Sequence, residues 1–106
     1  MGLTFKENCA DIRNSGIEKT INKLKKYKCR IDLYDPWVDQ NSLKDKYKTN
    51  TVHDPRLDFY DVIVLTTAHK IFIEMGIEKI RSFGNSDHLL YDMKYIFKSD
   101  SVDARL

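Results

Sequence analysis

The sequence predicts an α/β fold: an open sheet of about five mostly parallel strands with helices on both faces. Three observations carry that expectation. Asp61-Val62-Ile63-Val64-Leu65-Thr66-Thr67 is a continuous, β-branched run, which suits a strand covered on both faces, as strands of parallel sheets are. Strand-like and helix-like stretches alternate in the order strand, helix, strand, short helix, strand, strand, helix, strand. Such alternation builds parallel sheets through right-handed crossovers. Finally, 106 residues with 42% hydrophobic and 32% charged side chains suit a single domain around one core.

The first strand is expected at Gly2–Phe5, which is small or apolar and carries no charge until Lys6. Lys6 then falls at the carboxyl end of that strand, with Asp11 and Arg13 in the loop beyond. Ser15 suits a helix N-cap, because its hydroxyl can accept an early helical N–H, and Glu18 three residues later completes a capping box. The helix should run from about Gly16 to Tyr27, with Ile17, Ile21 and Leu24 as its apolar stripe. Lys19, Lys23 and Lys26 lie opposite, as a solvated face. Arg30–Tyr34 alternates polar and apolar like a strand, and Asp35-Pro36 ends it. Asn41–Lys48 reads as a short surface helix, Thr49–His53 as a short strand and Asp54-Pro55 as a turn. After the β-branched strand, Lys70–Phe83 reads as helix, which Gly76 can break in two. Gly84-Asn85 reads as a turn, Leu89–Asp92 as a last parallel strand, and Lys98–Leu106 as a polar, loosely packed tail.

Composition excludes several classes. A net charge of +2, without aromatic residues interleaved among the lysines, gives no footprint for nucleic acid or an anionic membrane. No apolar run has the length of a membrane span, and no leader pattern opens the chain. Two cysteines, Cys9 and Cys29, make no disulfide framework, so a reducing cytoplasm is the simplest setting. His53, His69 and His88 share no metal-ligand spacing with each other or with the cysteines, and no metal is expected.

The loop after the first strand is the candidate site. In open α/β sheets ligands bind at the carboxyl edge, and a lysine with an arginine there can face an anion, the arginine with a fork suited to phosphate. Lys6 reads either as such a ligand contact or as a surface lysine. Cys9 lies in the same loop, but a reactive thiol needs a base or a strongly electropositive setting, and no histidine is near it in sequence. Asp35 follows the second strand, where an acidic residue can bind a ribose. That reading needs a G-x-G-x-x-G loop, which is absent, so Asp35 is read as a turn former. His69 follows the strongest strand and reads as a loop or first-turn residue.

Phe5-Lys6 followed by Asp11-x-Arg13-x-Ser15, Tyr34-Asp35-Pro36, the run Tyr60–Leu65, Ala68-His69-Lys70 and Tyr91-Asp92-Met93-Lys94 occur in an order that resembles one family over nearly the whole chain. It is similar to the C-terminal UDP-binding domain of the UDP-glucose/GDP-mannose dehydrogenase family, most of all the branch that oxidises UDP-N-acetylhexosamines. The resemblance implies a Rossmann-like sheet, with residues 1–106 as a single UDP-sugar-binding domain. It also implies that the chain is the C-terminal fragment of a larger enzyme, with Met1 an internal residue. Upstream would lie an NAD-binding domain and a central dimerisation domain. In such enzymes the sugar C6 alcohol is oxidised through an aldehyde to a carboxylate with two NAD, for capsule or surface polysaccharide synthesis. The catalytic Cys, with its Lys and Asp, belongs upstream, so no catalytic residue is expected here and Cys9 is not that thiol. The resemblance assigns Phe5 and Lys6 to the UDP-sugar, Arg13 to NAD and Asp11 to orienting the loop. Lys94 stands where relatives often carry a basic residue that touches substrate across a subunit interface, Arg in some. It keeps the charge without the bidentate fork, and reads equally as a solvated lysine. Ala10 departs from a proline common in relatives. The whole enzyme is expected to be a homo-oligomer.

Two other classes are weighed. A standalone regulatory module of receiver or flavodoxin-like type would show an acidic cluster at the end of its first strand, where this chain has Lys6. A small nucleic-acid-binding protein would bind DNA or RNA in a salt-dependent way.

Overall fold

The chain enters the fold through the middle of its sheet. The computed structural model describes residues 1–13 and 16–105. Among these, five strands form two parallel ladders. β1 (Asp32–Leu33) pairs with β2 (Asn50–Thr51), and β3 (Tyr60–Leu65) pairs with β4 (Gly84–Asp92), which pairs in turn with β5 (Ala104–Arg105). Met1 and Gly2 join the ladders. The Met1 ammonium donates to the Val64 carbonyl at 2.7 Å, the Thr66 N–H donates to the Met1 carbonyl at 2.9 Å, and the Gly2 N–H donates to the Tyr34 carbonyl at 3.0 Å. This alternation is that of a parallel pairing.

The strand expected over Gly2–Phe5 is therefore only this short bridge. It stops because the next polar groups turn to side chains: the Leu3 N–H donates to the Asp35 carboxylate at 2.7 Å, and the Thr4 hydroxyl donates to the Lys6 carbonyl at 2.7 Å. Lys6 sits on a bend beyond the sheet rather than at the end of a strand.

Helix α1 (Ile17–Lys26) buries Ile21, close to the expected bounds. Ser15, the expected cap, lies outside the described residues; Gly16 occupies the N-cap position. α2 (Gln40–Tyr47) is capped by Asp39, whose carboxylate accepts the Ser42 N–H at 3.1 Å. It is no mere surface helix, since Leu43 and Tyr47 are buried. α1 and α2 pack around Leu3 and Leu33. α3 (Lys70–Met75) and α4 (Ile77–Arg81) are separated by Gly76 in a left-handed conformation, φ +84°, as the sequence predicts. They pack with Ile63, Leu65 and Leu90 around Phe72, which is fully buried and contributes roughly 1.5–3 kcal/mol of transfer free energy. Leu33 joins the first cluster and its neighbour Tyr34 the second. Successive strand residues face opposite sides, so helices lie on both faces.

Three expectations change. β3 is fully covered on one face only: Ile63 and Leu65 are buried, but Val62 is 52% exposed, on an apolar groove lined by Leu24, Ile31, Phe59 and Val62. The turn at Gly84-Asn85 is a displaced irregularity within β4. Tyr60 pairs with Gly84 and Val62 with Leu89, so the residues between bulge out, held by the Asp87 N–H donating to Asn85 Oδ1. The tail is built into the fold as far as Arg105. A 3₁₀ turn (Ser99–Ser101) leads into β5, Val102 packs on the core, and Asp103 accepts from the Leu90 N–H at 2.7 Å and from Arg81 at 3.1 Å. The exposed edge of β4 supplied the unpaired backbone groups that this tail satisfies.

Candidate functional site

Parallel strands deliver their carboxyl ends to one edge. Here that edge collects the loop after Gly2, Tyr34-Asp35 after β1, Thr67–His69 after β3 and Met93-Lys94 after β4. The loop of residues 4–13 closes on itself, with the Phe5 N–H donating to the Asp11 carbonyl at 2.7 Å. Phe5 is 60% exposed and Lys6 is exposed, so both face outward from a closed loop. The Asp11 carboxylate grips Arg13 in a bidentate pair, at 3.0 Å from both Nε and Nη2, and also accepts the Arg13 N–H. The guanidinium stays 84% exposed at the side chain. Hydrogen bonds from Arg13 hold the Asp11 carboxyl down at about 2, below its ordinary 3.8, and Asp11 in turn raises Arg13. Arg13 is thus presented to solvent in one orientation while its charge is half-shielded from below.

Lys94 stands on a separate turn. Asp92, fully buried, accepts the Lys94 N–H at 3.0 Å and the Phe97 N–H at 2.9 Å. β3 lies between this turn and the Met1–Gly2 bridge, so Lys94 and the first loop leave the sheet from strands that are not neighbours. The structure therefore groups Phe5, Lys6, Asp11 and Arg13 in one loop and sets Lys94 apart on the same edge. Arg105 stacks 3.9 Å above the Tyr95 ring beside it. Cys9 is half-buried and its Sγ accepts the Asp11 N–H at 3.4 Å. Among the described residues no cluster of His, Cys, Asp or Glu has the makings of a metal site, and no helix is long and apolar enough to cross a membrane.

The anchor of the loop is what the sequence reading missed. Asp35 makes its expected turn by accepting the Trp37 N–H at 2.8 Å, but its other oxygen accepts from Leu3 and lies 3.0 Å from His69 Nε2. His69 precedes α3 as expected, yet it is wholly buried. Its Nδ1 accepts the Asn8 N–H at 2.9 Å, and Asn8 Oδ1 accepts the Lys70 N–H at 2.8 Å. Asn8 takes a left-handed φ of 55°, which asparagine tolerates better than most residues. The available signal was positional: Asp35 and His69 each follow a strand-like run, so parallel topology brings both to the edge that carries the loop.

The chain is similar to known proteins over nearly its whole length. The profile of the UDP-glucose/GDP-mannose dehydrogenase family, UDP binding domain, matches residues 1–99. The chain is 42% identical over 106 residues, its whole length, to the UDP-N-acetyl-D-glucosamine 6-dehydrogenases of Salmonella typhi and Pseudomonas aeruginosa. It is 30% identical over 104 residues, 98% of its length, to Protein CapL of Staphylococcus aureus. The chain spans about a quarter of the length of these curated relatives, 25% of the first two and 24% of the third. With the α/β fold, the anchored basic loop and a profile match across both ladders, the chain belongs to the UDP-glucose/GDP-mannose dehydrogenase family, as its UDP-binding domain.

Proposed function

We propose that this domain holds the uridine diphosphate part of a UDP-N-acetylhexosamine at the carboxyl edge of its sheet, as the C-terminal part of an NAD-dependent UDP-sugar 6-dehydrogenase. The observation that carries the reading is the closed loop with Phe5 and Lys6 exposed and Arg13 fixed by Asp11. Lys6 meets the diphosphate with a compact charge, and Phe5 offers an apolar surface beside it. Lys94 adds a second cation from the neighbouring turn. Arg13 would serve NAD held by the upstream part of the enzyme, where a guanidinium suits a pyrophosphate.

For NAD itself these residues fit only partly. One guanidinium is offered, but no glycine-rich turn cradles a pyrophosphate, and Gly2 is the only glycine before Gly16. The reading therefore assigns the main cofactor site, the nucleophile and the dimerisation region to upstream parts of a longer, homo-oligomeric cytoplasmic enzyme. NAD supplies the hydride acceptor when bound there. This chain's residues bind and orient the nucleotide end, so that the sugar C6 reaches that acceptor. The names of the relatives support the assignment to nucleotide-sugar oxidation for surface polysaccharide precursors.

Calorimetric titration of the 106-residue chain tests the proposal. UDP should bind and NAD should not bind detectably. Lys6→Ala should weaken UDP about 10- to 150-fold, since a charge-assisted hydrogen bond contributes about 1.5–3 kcal/mol and each 1.4 kcal/mol is tenfold. The chain alone should leave NAD unreduced with UDP-N-acetylglucosamine. Absence of UDP binding by the folded chain, or wild-type affinity in Lys6→Ala, would sink the assignment.

A further inference from the structure

We propose that His69, held as a single neutral tautomer by Asp35, is the positioning residue of the Lys6 loop, latching it to the end of β3 through Asn8. The inference rests on the proposed function in one respect only, that the loop meets UDP.

The hydrogen bonds admit one assignment of protons. Nδ1 of His69 receives the Asn8 N–H at 2.9 Å, so Nδ1 carries a lone pair and no hydrogen. The ring proton is then on Nε2, which faces Asp35 Oδ2 at 3.0 Å. Thr4 agrees with this. Its hydroxyl hydrogen goes to the Lys6 carbonyl at 2.7 Å, leaving its oxygen free to accept a longer branch of the Nε2–H bond at 3.4 Å. The carboxylate is satisfied by the N–H groups of Leu3 and Trp37 as well as by the ring. His69, Asp35 and Thr4 are all buried. A buried network in which every donor and acceptor is matched is rigid and specifies one arrangement.

Its product is the placement of Lys6. The Lys6 carbonyl is tied through Thr4, and Asn8, two residues on, is tied through both its backbone N–H and its side-chain oxygen. An exposed lysine between two fixed points meets an anion without first ordering its backbone, which lowers the cost of binding.

Two substitutions separate the halves of the ring. His69→Asn places an amide oxygen near Nδ1 and can still accept from Asn8, but loses Asp35. His69→Gln places an amide N–H near Nε2 and can still serve Asp35, but leaves the Asn8 N–H without a partner. With ligand absent, nitrogen NMR of wild type should show the Nε2–H tautomer. Exchange of the Asn8 amide with solvent should be faster in His69→Gln than in His69→Asn. In calorimetric titration with UDP, at a temperature where both are folded, His69→Gln should bind about five- to tenfold more weakly than wild type, the effect of one lost hydrogen bond. His69→Asn should stay within about twofold. A ring protonated on Nδ1, or equal Asn8 exchange in the two variants, would overturn the latch. So would equal UDP affinity of the two variants where wild type binds UDP. If wild type does not bind UDP, the proposed function fails, and the tautomer and exchange readouts still decide the latch.

Discussion

Gly2→Ala is the substitution to which the join between the two ladders should be most sensitive. Gly2 has φ +90°, and a Cβ built there would lie 2.6 Å from Thr67 Cβ and 2.8 Å from the Thr67 backbone nitrogen. Two costs combine. An L-residue in left-handed backbone costs roughly 1–2 kcal/mol. Forcing a methyl against buried backbone costs about 1–3 kcal/mol in strain and displacement. The sum, about 2–5 kcal/mol, compares with a total stability of roughly 5–15 kcal/mol for a domain of this size. Urea unfolding followed by the fluorescence of Trp37, the single tryptophan, gives the assay. With a slope of about 1–3 kcal/mol per molar, the midpoint should fall by about 1 M or more. Gly16→Ala is the control, because no atom lies within 4 Å of a Cβ there and its φ is −66°; it should be neutral or gain up to about 1 kcal/mol. Equal midpoints for Gly2→Ala and wild type would refute the reasoning, since neither the torsion nor the contact would then be real.

In the 106-residue chain by itself, the α-amino group of Met1 is the next test. Burial pushes it from 8.0 to about 6, against an opposing pull from Asp35. The unfolded chain therefore holds this proton more tightly, so stability should rise with pH between about 6 and 8, by roughly 2–3 kcal/mol at 1.36 kcal/mol per unit. Denaturation midpoints of the chain and of its Nα-acetylated form, compared at both ends of that window, isolate the amine; identical pH profiles would contradict the burial. Asp11 runs the same way in a lower window of pH. Its lowered value makes the pair with Arg13 fully present above the ordinary carboxylate range and lost only as pH falls through about 2. A carbon-13 titration should show Arg13→Ala returning Asp11 toward 3.8, and an unmoved midpoint would remove Arg13 as the cause.

Elements set by local pattern were legible in the sequence. Val62–Leu65 had to be a strand, and Gly76 had to interrupt its helix, because each signal lies within a few residues. The placement of Phe5, Lys6, Asp11 and Arg13 in one loop was legible too, because all four fall in one short stretch. What escaped was decided by partners distant in sequence. Nothing near Leu3 announces that a carboxylate 32 residues away takes its N–H and ends the strand. The tail looked loose because its polar residues are matched by Arg81 and by the backbone of β4 rather than by one another. Val62 looked buried because a continuous apolar run does not reveal how closely the helices pack on each face of it. His69 was undervalued because its weight comes from Asp35, 34 residues away, and from Asn8, 61 residues away.

The two-residue bridge at Met1–Gly2 makes the sheet a seam between two halves, each with its own hydrophobic cluster. Among the described residues, backbone pairing across it consists of the Met1 bonds to Val64 and Thr66 and the Gly2 bond to Tyr34. A fluctuation that opens the molecule along this line has to release those bonds together with the buried Asp35–His69 contact and the packing of Tyr34 against Phe72; once it does, β1–β2 and β3–β5 should exchange their amides as separate cooperative units. The Lys6 loop continues directly from the seam and would be loosened by each such opening before either half unfolds. Assembly faces the same line from the other side. The Met1 contacts that close it span more than 60 residues, and long-range closure of that kind slows folding.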